Sequence, residues 1–183
     1  MAGQSDKILI LQLNQEFQSL YNSVRKQHPQ HTTDTRTQRI LSLDPGETTG
    51  VADYDGHGNI TVYQKETKNI GQSYDWLYHV LTKVESYEAS RQYDMLRYED
   101  YRVYEWKAQD HSWSPVHTIR WIGAIQVAAH TTHTPNTCMM AQQAKGFWTD
   151  QKLDYFGLNP KGLRHGRDAL RHLLYYILFP NKQ

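Results

Sequence analysis

Apolar side chains recur along this 183-residue chain with two different periods. From about Asp6 to Lys26 they fall at Leu9, Leu13, Phe17, Leu20, Tyr21 and Val24, the spacing of a one-faced helix. That face can close on the rest of the chain, on a second copy or on a partner; packing on its own domain is the expectation. His28 to Gln38 is polar, contains Pro29 and lacks periodicity, so it reads as a linker. Strand patterns then follow. Ile40, Leu41 and Leu43 form a short apolar run that ends at Asp44, before Pro45-Gly46 breaks it. A second strand begins at Val51, a hairpin is signalled by Asp55-Gly56-His57-Gly58, and Asn59 to Tyr63 forms the third.

The helical period returns from about Ser73 to Ser90, with Trp76, Leu77, Val80, Leu81, Val84 and Tyr87 on one side. Tyr93 to Tyr98 reads as a strand after a crossover and runs into Glu99-Asp100. An aromatic-rich irregular stretch continues to Ser114. Ser114-Pro115 then opens a helix to about His130. Pro135 to Met140 gives a fifth strand, Phe147 to Phe156 a short helix ended by Gly157, and Leu163 to Phe179 the last helix. The order, three hairpin-linked strands followed by alternating helices and strands, predicts a mixed α/β sheet with helices on its faces.

Composition narrows the class. No apolar run approaches the ~20 residues of a membrane span, and the N-terminal residues lack a signal-peptide pattern, so a cytoplasmic protein is expected. The single cysteine, Cys138, excludes an intramolecular disulfide and a cysteine-based zinc site. The net charge is only +1, so a nucleic-acid partner is not announced by the total. Charge is unevenly placed, however. Asp44 to Asp110 is acidic, whereas Lys145 to Arg171 carries six Lys and Arg side chains against three Asp. A basic rim beside an acidic centre suits a site that holds cations and meets phosphates, and it also suits a mixed surface.

Three pieces of pattern combine into candidate chemistry. Asp44 ends the first strand of the meander, and Glu99 ends the strand after the crossover. Asp168 lies near the start of the last helix, with His165 three residues before it and His172 four after. Asp44 alone is ordinary turn chemistry before Pro-Gly. Gathered at one sheet edge, however, carboxylates repel unless a cation relieves them. Mg²⁺ takes oxygen ligands of this kind. Two such ions about 4 Å apart activate water and stabilise a leaving oxygen. His172 reads as a packing or surface group. Lys145, Lys161, Arg164 and Arg167 are placed for phosphate contacts or as solvated charge. Tyr101, Tyr104, Trp106 and Trp113 can stack on unpaired bases or pack. The helix from Pro115 to His130, with Gly123, Ala124 and Ala129, can meet a second copy or only the sheet.

From Arg39 to Leu178 the sequence resembles the RuvC branch of the RNase H-like nucleases. Leu43-Asp44-Pro45-Gly46 with Thr49-Gly50 is similar to the family's first-strand motif, and Tyr98-Glu99 to its second acid. His165-Gly166-Arg167-Asp168-Ala169 is similar to its final-helix motif, with His where many members have Asp. The resemblance implies an RNase H-like mixed five-stranded sheet, βββαβαβα, spanning residues 39–183. Residues 1–38 then form an N-terminal helix and linker. It further implies a homodimeric Holliday junction resolvase, with Asp44, Glu99, His165 and Asp168 as catalytic and metal-binding residues for Mg²⁺ or Mn²⁺, two ions per site. Small divergent members are frequent in bacteriophages, which would place such a chain in the bacterial host cytoplasm. Imidazole at position 165 tilts the expected preference towards Mn²⁺. A catalytically idle domain that binds branched DNA or a protein partner is the competing reading. An actin-like ATPase or sugar kinase is disfavoured, since the chain is short and lacks a second glycine-rich phosphate loop; no nucleotide cofactor is expected.

Overall fold

The computed structural model describes residues 7–31, 33–85, 88–101 and 113–181. The expected meander is present as β2 (Ile40–Asp44), β3 (Thr48–Tyr54) and β4 (Asn59–Glu66), joined in antiparallel register. Asp55 closes the β3–β4 hairpin by accepting from the backbone N–H groups of His57 and Asn59. β7 (Met95–Glu99) adds to β2 in parallel, and β8 (Asn136–Met139) adds to β7 in parallel.

The sheet has six strands where the sequence predicts five. The additional one is β1 (Leu9–Gln12), antiparallel to β4, so the order across the sheet is β1-β4-β3-β2-β7-β8. Leu9 and Leu13 fit the helical spacing of the following segment, but α1 begins only at Gln15 and runs to Gln27, capped by the Asn14 side chain. Its apolar face closes on the domain: Phe17 stacks on Trp148 at 6.0 Å and meets Phe156 edge-on. The stretch read as a linker is pinned as well. Thr35, in a short 3₁₀ turn, donates to the carbonyl of Ile177 at 2.7 Å. Tyr21 lies beneath Arg25 and Arg36 and donates to Asp34.

The bonds from Arg36 outweigh the partial burial of Asp34 and hold its carboxyl down at about 2. This contribution to stability is complete above the ordinary carboxylate value near 4. It is lost as pH falls through the folded value. Both side chains are more than a third exposed, so Asp34→Asn is expected to cost at most about 1 kcal/mol at pH 7. Most of the cost should be gone by pH 2, as read from thermal melts at the two pH values.

Helices cover both faces. On one lie α2 (Ile70–Leu81) and α3 (Trp113–Thr131), packed over Leu41, Leu43, Val51, Leu96 and Tyr98. The predicted helix to Ser90 stops at Leu81, because Thr82 turns to extended backbone while its hydroxyl bonds the carbonyl of Tyr78. Beyond it, β5 (Thr82–Glu85) and β6 (Glu88–Arg91) pair in antiparallel register. Alternating apolar residues over so short a run fit either period. α3 starts at Trp113, which puts Ser114 and Pro115 in its first turn. The predicted helix from Phe147 to Phe156 is instead two, α4 (Ala141–Phe147) and α5 (Asp150–Tyr155), separated by the Thr149 cap.

On the other face α6 (Arg164–Leu178) lies across the sheet with Leu170, Leu173, Leu174, Ile177 and Leu178 fully buried. Burial of such a side chain stabilises by roughly 1.5–3 kcal/mol, which makes α6 the anchor of this layer. Among the described residues, no helix is long and apolar enough to cross a membrane.

Candidate active site

Strand pleating decides which face each acid joins. In β2, Ile40 packs towards α6, while Leu41 and Leu43 pack the other way, so Asp44 projects to the α6 side. In β7, Leu96 and Tyr98 pack towards α2 and α3, so Arg97 and Glu99 also face α6. The parallel register aligns Leu43 with Tyr98. The next residues along, Asp44 and Glu99, therefore end side by side at one sheet edge.

Two glycines bring α6 down onto that edge. A methyl group on Gly50, which pairs with Asp44 in the β2–β3 ladder, would lie 1.9 Å from the carbonyl oxygen of His165. One on Gly166 would lie 2.9 Å from Val62 Cγ1. With both absent, His165 Nδ1 reaches Asp44 Oδ2 at 2.9 Å, and the His165 amide donates to the Gln64 side chain. The Asp44-Pro45-Gly46 turn is braced from behind. Thr67 donates to the Gly46 carbonyl, bonds the Thr49 hydroxyl at 2.8 Å, and takes His117 against its own carbonyl. The Trp121 indole donates to Thr49 at 2.9 Å.

The acids differ in their surroundings. Burial raises the Asp44 carboxyl, and the charges of Glu99 and Asp168 add to this against the His165 bond. The same bond is the largest influence on His165 and raises its imidazole. Each of the two groups is therefore shifted towards its protonated form. For Glu99, burial works upward, but the bond from His172 and the Lys145 ammonium outweigh it and lower the carboxyl. Lys145, brought back by α4, stands 3.3 Å from Glu99 and 3.2 Å from Asp168. Burial lowers its ammonium, and the three carboxylates outweigh that and raise it. Asp168 is also gripped by Arg171, which reaches on to Asp150 and to the Trp148 carbonyl.

Asp44, Glu99, His165 and Asp168 are therefore close in space although they come from three separate elements. Asp44, His165 and Asp168 line an open cleft of about 360 Å³ together with Glu47, Tyr101, Thr118, Lys145 and Arg164. Lys161 and Arg167 are not among its lining residues; they pair with Asp154 at 3.8 Å and Asp150 at 3.2 Å. Tyr104 and Trp106 lie outside the described residues.

His172 was legible as a packing or surface group; it is fully buried, and beyond packing it bonds Glu99 Oε2 through Nε2 at 2.9 Å. Its signal was the spacing, four residues beyond Asp168 and on the same face. His172→Leu should cost about 1.5–3 kcal/mol, the range for a hydrogen bond to a charged group. His172→Gln, whose amide can reach the same oxygen, should recover most of it; urea denaturation of the three proteins checks this.

The donor set of carboxylates and one imidazole is chemically suited to a hard or borderline divalent ion. Its arrangement is partly closed, however: among the described residues, no three His, Cys, Asp or Glu form a group open to a metal. Lys145 and Arg171 already meet two of the three carboxylates.

No family model matches the sequence, and no curated protein matches it. The fold does have solved counterparts. It is similar to RuvC of Thermus thermophilus in complex with Holliday junction substrate, with a TM-score of 0.53 at 16% identity over 77% of this chain and 94% of that one. A second structure of Thermus thermophilus RuvC matches with a TM-score of 0.52 at 17% identity over the same shares. The protein has a RuvC-like fold of the mixed α/β, RNase H-like class.

Proposed function

We propose that this chain is a metal-dependent endonuclease for branched DNA, of the Holliday junction resolvase type. The observation that carries the reading is the meeting of Asp44, Glu99 and Asp168, with His165, at one edge of a RuvC-like sheet. Mg²⁺ or Mn²⁺ would be held among these residues, Asp44 foremost because Lys145 and Arg171 already meet Glu99 and Asp168, and when bound would supply Lewis acidity to the phosphodiester and an acidified water.

The chain's own groups supply the rest. His165 keeps Nδ1 against Asp44, which leaves Nε2 as the nitrogen to take a proton from water, the role of a general base beside the cleft. Arg164 and Lys145 line the cleft and meet phosphate oxygens. Lys161 and Arg167 extend that contact when they leave Asp154 and Asp150. Tyr101, exposed at the cleft, stacks on a base at the branch point, and Tyr104 follows it in the chain. Val116, Ile119 and Val127 stay exposed on α3 and offer a two-fold contact, so that a homodimer presents two clefts to a four-way junction. A phage origin and action in the host cytoplasm belong to the same reading.

The test incubates purified protein with synthetic four-way, flap, duplex and single-stranded DNA in Mg²⁺, Mn²⁺ or chelator. Cleavage is expected on the junction only, with either metal, and none in chelator. The partly closed acid cluster favours one alternative, a domain that binds junctions without cutting. A retained gel shift with no incision in either metal would select it.

A further inference from the structure

The charge around the acids is divided unequally. Glu99 Oε2 accepts from His172 and faces Lys145, and Asp168 offers one oxygen to Arg171 and the other to Lys145. Two carboxylates thus meet two cations and one imidazole. Asp44 has neither a lysine nor an arginine in contact among the described residues; its partner is His165. A further dication between Glu99 and Asp168 would have to expel an ammonium lodged within 3.3 Å of both, and would then face Arg171. A dication at Asp44 displaces no lysine or arginine and meets a nearly buried acid whose partner is an imidazole.

We propose that Lys145 is a built-in second cation of this site, so that the chain loads one divalent ion, on the Asp44 side, in place of two. This rests on the nuclease reading for its purpose. Lys145 then has a role beyond phosphate contact: it holds Glu99 and Asp168 together without metal, and it presents fixed positive charge to the scissile phosphate. Lys145 is well placed to stay, because α4 follows β8 directly and turns the ammonium back over the end of β7. An ammonium has no ligand-exchange cost and accepts any approach angle, whereas Mg²⁺ demands near-octahedral oxygen geometry.

The experiment counts Mn²⁺ bound to the whole protein, by isothermal titration and by the loss of free-ion paramagnetic resonance. Wild type is expected to bind one ion. Lys145→Met, neutral and of similar length, is expected to bind two, because Glu99 and the Asp168 oxygen turned away from Arg171 both lose the ammonium between them. Lys145→Arg, with the charge retained, should bind one. Circular dichroism melts verify that each variant is folded. In junction cleavage, the Mn²⁺ dependence should be first order for wild type. Two ions on wild type, or one on folded Lys145→Met, would overturn the proposal, as would none on wild type. The nuclease reading fails separately, by absence of incision with the ion count unchanged.

Discussion

Asp44→Asn should leave a four-way junction bound but uncut, with the cleavage rate down by about a thousandfold or more, the upper range for removing one charged partner of a reacting centre. The substitution keeps shape and one acceptor oxygen, but removes the charge at the point where β2, β7 and α6 meet. The protein should not melt earlier. Burial and the neighbouring acids raise the folded Asp44 carboxyl, so its ionised form opposes folding at neutral pH. The sign follows directly: the folded state binds the extra proton, so wild type gains on the variant as pH falls through the raised value. Melting temperatures of both proteins over a series from neutral to acid pH check this, beside the cleavage assay. A dead variant that melts no lower than wild type identifies Asp44 as a functional strain in the fold rather than a structural support.

Gly50→Ala should have the largest effect on stability. The added methyl would meet the backbone of His165 and Gly166, at 1.9 Å from one carbonyl oxygen and 2.7 Å from the next nitrogen. Backbone cannot swing aside as a side chain tip can. The start of α6 must lift or β3 must sink, and β3 is held on both sides by β2 and β4. A loss at or beyond the ~3 kcal/mol reached by ordinary overpacking is expected, read as a lower urea midpoint. If α6 lifts, the His165–Asp44 bond at 2.9 Å is the first to break. Any protein that still folds should therefore cleave poorly. An unaltered midpoint would mean that the helix is not seated as described.

Much of the sheet was readable because its signals are local. The turn residues after Asp44 and around Gly56 mark the meander, and Glu99 closes a strand in which Leu96 and Tyr98 pack to one face. The final helix was readable from its leucine stripe. What escaped is non-local. Nothing near Leu9–Gln12 states that β4, about fifty residues on, will supply its hydrogen bonds. Lys145 reads as a phosphate contact or a solvated charge, and its two carboxylate partners come from other elements. Arg97 in mid-strand gives no hint that its guanidinium will be buried over the ring of Tyr176, at 4.8 Å. The three acids and the His165 imidazole were legible from motif spacing. Their inequality, one acid left to an imidazole and two clamped by cations, needed coordinates.

The outermost ribbon at the β4 margin also governs how the chain behaves when shortened. A fragment beginning at Arg39 would leave the β4 backbone amides and carbonyls as an open row, the template on which stray chains add and clump. The same cut would strip Phe17 from Trp148 and Phe156 and wet the underside of the aromatic layer. Trimming to the part that looks like a minimal enzyme would therefore yield inclusion bodies, and expression designs should retain everything from Lys7 onward.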